Sequence, residues 1–570
     1  MNTESPKSPQ SESSFIKKFA LPISVLINLL CFTLTYFFFD ALFNTNDDPG
    51  QMAQVAGFIR VGESSPFLTY SHVLIGKILQ LLYGNFPNFN WYPAFLVGTL
   101  YTAHVGFLYL LLKKNAHWIS VLLYFGYFGL LGVNLLVNLQ FSISASICCT
   151  SGLLLLFNDF LSNNNETNNK GSVLISGILL FSLGVMIRFT GASLIALLMI
   201  TASGISLALN RFKNWKSFGI KTIITFILLI GIDKTNEMLW KIDDDQSDFY
   251  SFQQVRGKLS GNKPLDVLSF DERKKILQEI SWSSNDYNCL NYFFVTDEDV
   301  FSTEKLTFLL SKAPFIKKIS FTKVSKNIGE IFADLSAYSA IIFALLLIPF
   351  LFREPLKVVR LMFYVALVIA ILFLINYLFR TPPPRIYFGL FVLLVWKSLL
   401  LVKTKKRVTL RSMMIPLLIF GVAGVFIAKQ MGQQFEKKKE MQYKNQMVHN
   451  YCDQLRRIGK ENLFVSWGAS FPWEFIKPFE DLSFIKDLSI FSIGSVSRDP
   501  ASMKLLDNFE IDKLGYALAT REDIYLIAGG TIRNQRLKTF IKEHHDLTVD
   551  YEEVFTSVRF TIFRLRSSIK

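Results

Sequence analysis

Two adjacent carboxylates, Asp47 and Asp48, stand in the stretch FNTNDDPGQ immediately after a long apolar run. A carboxylate held at such a place can act as a general base. Asp48 precedes Pro49, and Met52, Val55, Ala56 and Ile59 follow at helical spacing, so the local pattern predicts a helix with Asp48 at its N-cap and proline at N1. Asp47 has no comparable local task. Arg188 lies between two apolar runs in VMIRFTG, and Arg380 and Arg385 flank TPPP between two more. A guanidinium fork binds two phosphate oxygens at once and stays ionised, so these arginines are candidates for holding a phosphate. The bland alternative for each is an arginine snorkelling at a membrane edge.

Other polar groups fall in comparable places. The prolines of TPPP stiffen the turn that presents Arg385 and Tyr387. Asn134, Asn138 and Gln140 mark another turn between apolar runs, and several such turns could line one wet cavity. A polar stretch of about a hundred residues adds Arg256 in FQQVRGKLSGNK and Asp286 in WSSNDYNCLNYFFVTDEDVF, followed by the triplet Asp297, Glu298 and Asp299. That triplet reads either as a hard-cation site or as a solvated turn.

The elements that must position these groups are membrane helices. The chain of 570 residues is 51% hydrophobic, with 55 Phe, and its mean hydropathy of +0.33 is too apolar for an ordinary soluble domain. The formal charge of +15 sits in short Lys/Arg clusters between apolar runs, which is the pattern that sets membrane topology. No basic face with interleaved aromatics points to nucleic acid. The five cysteines form no CxxC or metal-ligand spacing.

Apolar stretches near 19–43, 91–112, 117–137, 139–158, 172–187, 190–209, 216–233, 336–352, 359–378, 386–402 and 410–428 predict about eleven transmembrane helices. With residues 1–15 cytoplasmic and disordered, the Lys/Arg clusters fall inside at every turn, and the regions 44–90, 234–335 and 430–570 share the outer side. The segment 65–84 predicts a helix from Pro66 to Gly84, lying at or dipping into the outer face, because His72 and Lys77 at mid-length are costly in lipid. Residues 430–570 read as an α/β domain, with NLFVSW, LSIFSIG and DIYLIAG as strands, PASMKLLDNF and RNQRLKTFIKEHH as helices and SVRFTIFRLR as a closing strand.

A first helix, an acidic pair in the first outer loop, a juxtamembrane helix, many spans and a C-terminal outer domain resemble the GT-C superfamily of polytopic glycosyltransferases. The stretches DDPGQMAQVAGFIRVGESSPFLTYSHVLIGKILQLLYG, IRFTG, WSSNDYNCLNYFFVTDEDVF and RTPPPRIYFGL resemble a bacterial membrane-protein family related to those enzymes. The resemblance implies a polyprenyl-phosphate-linked sugar donor, transfer at the outer face of the cytoplasmic membrane, and a glycan, lipid or protein acceptor. It makes Asp47 the candidate base, with Asp48 capping the helix that fixes it or sharing the role. Arg188 and Arg385, with Arg380, would neutralise the departing phosphate, and Lys77 and His72 are further candidates. Arg256, Asp286 and Tyr387 would belong to the substrate side. No cofactor is implied with certainty, although a divalent cation remains open. The chain departs from the lipid A aminoarabinose transferases and protein O-mannosyltransferases beyond the first-loop carboxylate and a downstream basic residue. A flippase or transporter of lipid-linked glycans is the alternative class, and a non-catalytic membrane scaffold is a third.

Overall fold

A computed structural model describes residues 15–57, 64–158, 171–209, 211–212, 214–313, 321–333, 341–345, 347, 354–378, 383–402, 410–468 and 470–568. The chain is a polytopic α-helical membrane protein that also carries an α/β sheet. Its contacts divide it into two units.

The helical unit comprises Met1–Asn44, Pro93–Thr235 and Ile319–Met441. Six described helices are long and apolar enough to cross a bilayer: Ala20–Phe38, Trp91–Lys114, Trp118–Val137, Phe189–Leu209, Trp215–Trp240 and Pro355–Tyr377. Phe141–Leu156 and Gly171–Ile187 are shorter apolar helices. These eight coincide with expected spans, and Pro384–Leu401 with a ninth. The expected span 336–352 falls largely outside the described residues. The expected span 410–428 is the first part of the helix Leu410–Gly459.

Small residues let these helices approach closely. A Cβ at Gly152 would meet the backbone nitrogen of Phe181 at 2.4 Å, so the pairing of Phe141–Leu156 with Gly171–Ile187 requires hydrogen there. Helix Trp118–Val137 contains a π turn at Phe128–Gly132. The chain leaving Ala20–Phe38 forms β1 (Leu42–Phe43), which pairs in parallel with β2 (Asn138–Leu139). The Lys437 amine donates to Asn138 Oδ1, and Gln434 Nε2 donates to Asn134 Oδ1 at 3.1 Å. These asparagines are therefore held by the helix Leu410–Gly459.

The second unit comprises Thr45–Tyr92, Asn236–Lys318 and Gln442–Lys570. Its sheet has the order β4-β3-β5-β7-β6. Strands β3 (Leu463–Trp467), β4 (Ser489–Ile493) and β5 (Ile524–Ala528) are parallel. Strands β6 (Thr548–Thr556) and β7 (Thr561–Ser568) add an antiparallel hairpin. Every residue of β3 and β5 is buried, as expected of strands covered on both faces. Helices Pro500–Asn508 and Thr531–His545 match the two expected there, while helix Leu514–Thr520 and β6 had no counterpart in the sequence reading.

Trp240, Phe252, Phe294 and Phe301 from the 236–318 segment share one core with Val465, Trp467, Leu526 and Phe540 from the sheet region. Trp467 Nε1 donates to the Tyr292 carbonyl at 2.8 Å, closing that contact with a hydrogen bond. The helix expected from Pro66 begins instead at Val73 and ends at Asn85. His72 is its N-cap: Nδ1 accepts from the Leu74 amide at 3.1 Å. The preceding Pro66 carbonyl packs so closely on the helix that a Cβ at Gly76 would fall 1.9 Å from its oxygen.

Candidate functional site

The carboxylate pair lies in the first turn of the helix Asp47–Ala56. Asp48 is not the N-cap. That position belongs to Asn46, without a side-chain cap bond, and Asp48 is one residue inside the helix and fully buried. Its Oδ1 accepts from the Tyr92 hydroxyl at 3.0 Å and its Oδ2 from the Thr45 hydroxyl at 3.1 Å. The Tyr92 oxygen also accepts from Gln51 Nε2 at 3.2 Å, and the Tyr92 amide donates to the Tyr83 hydroxyl at 3.1 Å. Two hydroxyl donors satisfy a buried carboxylate that would otherwise be costly. Asp47 is only half-buried. Asp48 is thus buried and hydrogen-bonded, and Asp47 is the more accessible of the two.

Arg188 and Arg385, nearly two hundred residues apart in sequence, line one cavity of about 190 Å³ in the helical unit. Arg188 is the single residue between helices Gly171–Ile187 and Phe189–Leu209, and Arg385 is in the first turn of Pro384–Leu401. Ser142, Ser146, Thr190 and Pro383 line the same cavity. The Arg188 guanidinium lies 5.4 Å from the Phe141 ring centroid. Ser142 Oγ is buried and has no hydrogen-bond partner among the described residues. Two guanidinium groups and several hydroxyls around a small cavity make a donor-rich pocket for an anion.

The other candidates are placed elsewhere. Arg380 lies outside the described residues. Lys77 is exposed on the helix that His72 caps. Tyr387 is buried, its ring stacked on Phe388 at 5.5 Å, and it does not line the arginine cavity. Arg256 is buried in the sheet-bearing unit, donating to Gln253 Oε1 at 2.7 Å and to Ser260 Oγ at 3.2 Å. Burial lowers its pKa from the ordinary value.

Asp286 closes a capping box with Ser283 at the start of Ser284–Asn291 and bonds His544 Nε2 at 2.8 Å. That bond holds the His544 pKa above its ordinary value. The acidic triplet does not converge on one point: Glu298 pairs with Arg498, Asp299 with Lys513, and Asp297 faces His545. Tyr92, Thr45, Ser142 and Thr190 were absent from the sequence reading. Only Thr45, three residues before Asp48, carried a local signal.

Fold and site define a polytopic helical membrane protein with an arginine-lined cavity among its apolar helices and a carboxylate pair in the unit that bears the sheet. No family model and no curated protein matches the chain. Among solved structures it is similar to ArnT from Cupriavidus metallidurans in the apo state, with a TM-score of 0.37 and 10% identity over 95% of this chain and 97% of that one. It is also similar to ArnT from the same organism bound to undecaprenyl phosphate, with a TM-score of 0.36 and 9% identity over the same shares.

Proposed function

We propose that the chain is a GT-C-type membrane glycosyltransferase that moves a sugar from a polyprenyl-phosphate-linked donor to an acceptor at the outer face of the cytoplasmic membrane. The observation that carries this reading is the meeting of Arg188 and Arg385 with serine and threonine hydroxyls at one cavity among apolar helices. A lipid-linked sugar phosphate needs such a place, because its polar group must be met where its chain stays in hydrocarbon.

A sugar phosphate carries its own leaving group. The enzyme must hold the phosphate and take the proton from the attacking hydroxyl. In the proposed reaction an acceptor hydroxyl oxygen attacks the anomeric carbon, and the bond from that carbon to the phosphate oxygen breaks. The bonding pair leaves with the polyprenyl phosphate, whose charge Arg188 and Arg385 stabilise. The hydroxyl proton passes to Asp47. Asp48, held by Tyr92 and Thr45, fixes the turn that presents Asp47.

The test is transfer of radiolabelled sugar from a polyprenyl-phosphate donor pool into acceptor in membranes containing wild type or Asp47→Asn, with expression and insertion matched. Label moving only with wild type supports the reading. Equal label in both removes Asp47 from the reaction. Donor lipid crossing sealed vesicles without transfer would replace the enzyme with a flippase.

A further inference from the structure

Among the described residues Arg256 is the one buried arginine of the sheet-bearing unit, at 5% exposure. Arg456, Arg498, Arg521, Arg559 and Arg566 of the same unit are all more exposed, and each meets a carboxylate. Arg256 meets none. Tyr70 is the one titratable neighbour among the described residues that acts on it. A buried guanidinium stays ionised, and without a counter-charge it raises the energy of the fold that holds it.

The partners that Arg256 does have are neutral. Its Nε donates to Gln253 Oε1 at 2.7 Å and its Nη1 to Ser260 Oγ at 3.2 Å, while its Cζ lies 5.2 Å from the Phe293 ring centroid. These contacts fix the plane of the fork, and no described residue accepts from Nη2. Phe293 adds a separate indication. With φ of 65° it takes the left-handed position just past helix Ser284–Asn291, where the Phe294 amide donates back to the Cys289 carbonyl at 2.9 Å. Glycine is the usual residue at such a helix end. A bulky ring held there is strained, and strain of this kind gathers at ligand clamps.

The surroundings are polar and open. Ser495 stands two residues beyond strand β4, at the carboxyl end where open α/β sheets take their ligands. Its carbonyl accepts from Gln253 Nε2, and its hydroxyl meets the Tyr70 hydroxyl at 3.4 Å. Tyr70, Gln253 and Ser495 are half-buried, and a Cβ on the adjoining Gly494 would meet nothing within 4 Å. The groups around the guanidinium therefore border free space.

We propose that Arg256 is the charged centre of an anion site outside the carboxyl end of β4, which takes a phosphate or carboxylate group at its Nη2 edge beside the Tyr70 and Ser495 hydroxyls. The ligand supplies the counter-charge that the fold withholds, and two N–H bonds to its oxygens suit the planar fork. The assignment does not rest on Arg188, Arg385 or the transfer reaction, and its test does not read activity.

The experiment is amide hydrogen exchange of the full chain in detergent with inorganic phosphate, glucuronate or glucose, at ionic strength matched with sodium chloride. An anion at ten times its dissociation constant should slow the opening of helix Asp244–Asn262 about tenfold, and glucose should not. Whether phosphate, glucuronate or both act names the group that the site takes. Arg256→Gln should remove the effect and Arg256→Lys, which keeps the charge without the fork, should reduce it, while Arg188→Ala retains it. The Lys variant carries the comparison if the Gln variant does not fold. The proposal is overturned if neither anion slows exchange in wild type, if glucose acts as glucuronate does, or if the Arg256 variants respond as wild type does. Loss of the effect in Arg188→Ala alone would also overturn it, by placing the anion at the cavity of the helical unit.

Discussion

Replacing Tyr92 by phenylalanine removes one hydroxyl and leaves the ring in place. Asp48 is fully buried, so water cannot replace the 3.0 Å bond that its Oδ1 loses. A hydrogen bond to a charged group contributes about 1.5–3 kcal/mol. The Gln51 amide loses its 3.2 Å acceptor in the same change, although Gln51 Oε1 still accepts from Ser71. Neighbouring losses do not simply add, so the expected cost is about 2–3 kcal/mol, or roughly 30- to 150-fold in the local opening equilibrium. Amide hydrogen exchange reads this directly. The helix Asp47–Ala56 should open more readily by that factor, while β3 exchanges as in wild type. A double-mutant cycle with Asp48→Ala should return most of the same energy as coupling, because both changes remove one contact. Transfer should slow with donor affinity retained if Asp48 acts by fixing the turn of Asp47. Exchange within about 0.5 kcal/mol of wild type would show that the phenol does not hold the carboxylate and would remove the basis for assigning Asp48 a holding role.

Arg188→Ala and Arg385→Ala should each weaken binding of a polyprenyl phosphate about tenfold or more, the loss of one charge-assisted contact; wild-type affinity in both would return these arginines to the membrane-edge role. Gly76→Ala should destabilise the second unit by about 1–3 kcal/mol through overpacking, since its Cβ would fall 1.9 Å from the Pro66 oxygen, and an unchanged melting temperature would refute that close approach. Arg456 bonds Asp487 through Nε at 3.0 Å and Nη2 at 2.9 Å, which holds the Asp487 pKa below its ordinary 3.8. A depressed folded value means that this contribution is complete above pH 3.8 and is lost as the pH falls through the lower folded value; acid titration of thermal stability should show that loss in wild type and a smaller one in Arg456→Gln.

Much of the helical unit was legible because apolar runs of membrane length leave little freedom to a backbone without water. Arg188 and Arg385 were legible for the same reason: each interrupts or borders such a run, where a charge needs a specific reason to stand. The Asp48–Tyr92 bond was not. Its partners lie 44 residues apart with no periodicity linking them. The N-cap reading of Asp48 followed the Asp-Pro pattern correctly as chemistry, but burial against Tyr92 and Thr45 outweighed it. The start of the helix at Val73 depended on the His72 ring acting as cap, a task that more often falls to Ser, Thr, Asp or Asn. Strand β6 escaped notice because Asp550, Glu552 and Glu553 dilute its apolar alternation. Those charges suit the strand, which lies at an edge of the sheet and must discourage further pairing.

The placement of the carboxylate pair illustrates why a site in a first loop need not be encoded there. Helix Asp47–Ala56 has 10 residues, too few to be stable alone in water. It persists because Met52, Ala53 and Val55 are buried and because Gln54 Nε2 donates both to the Phe67 carbonyl at 2.8 Å and to Asp499 Oδ2 at 2.9 Å. Asp499 is itself fully buried and stands 445 residues further along the chain, immediately before the helix Pro500–Asn508. The turn that presents Asp47 is therefore positioned by the sheet-bearing region. A substitution near Asp499 should disturb the carboxylate pair more than one in the exposed residues beside it, because the former removes the anchor and the latter only changes solvation.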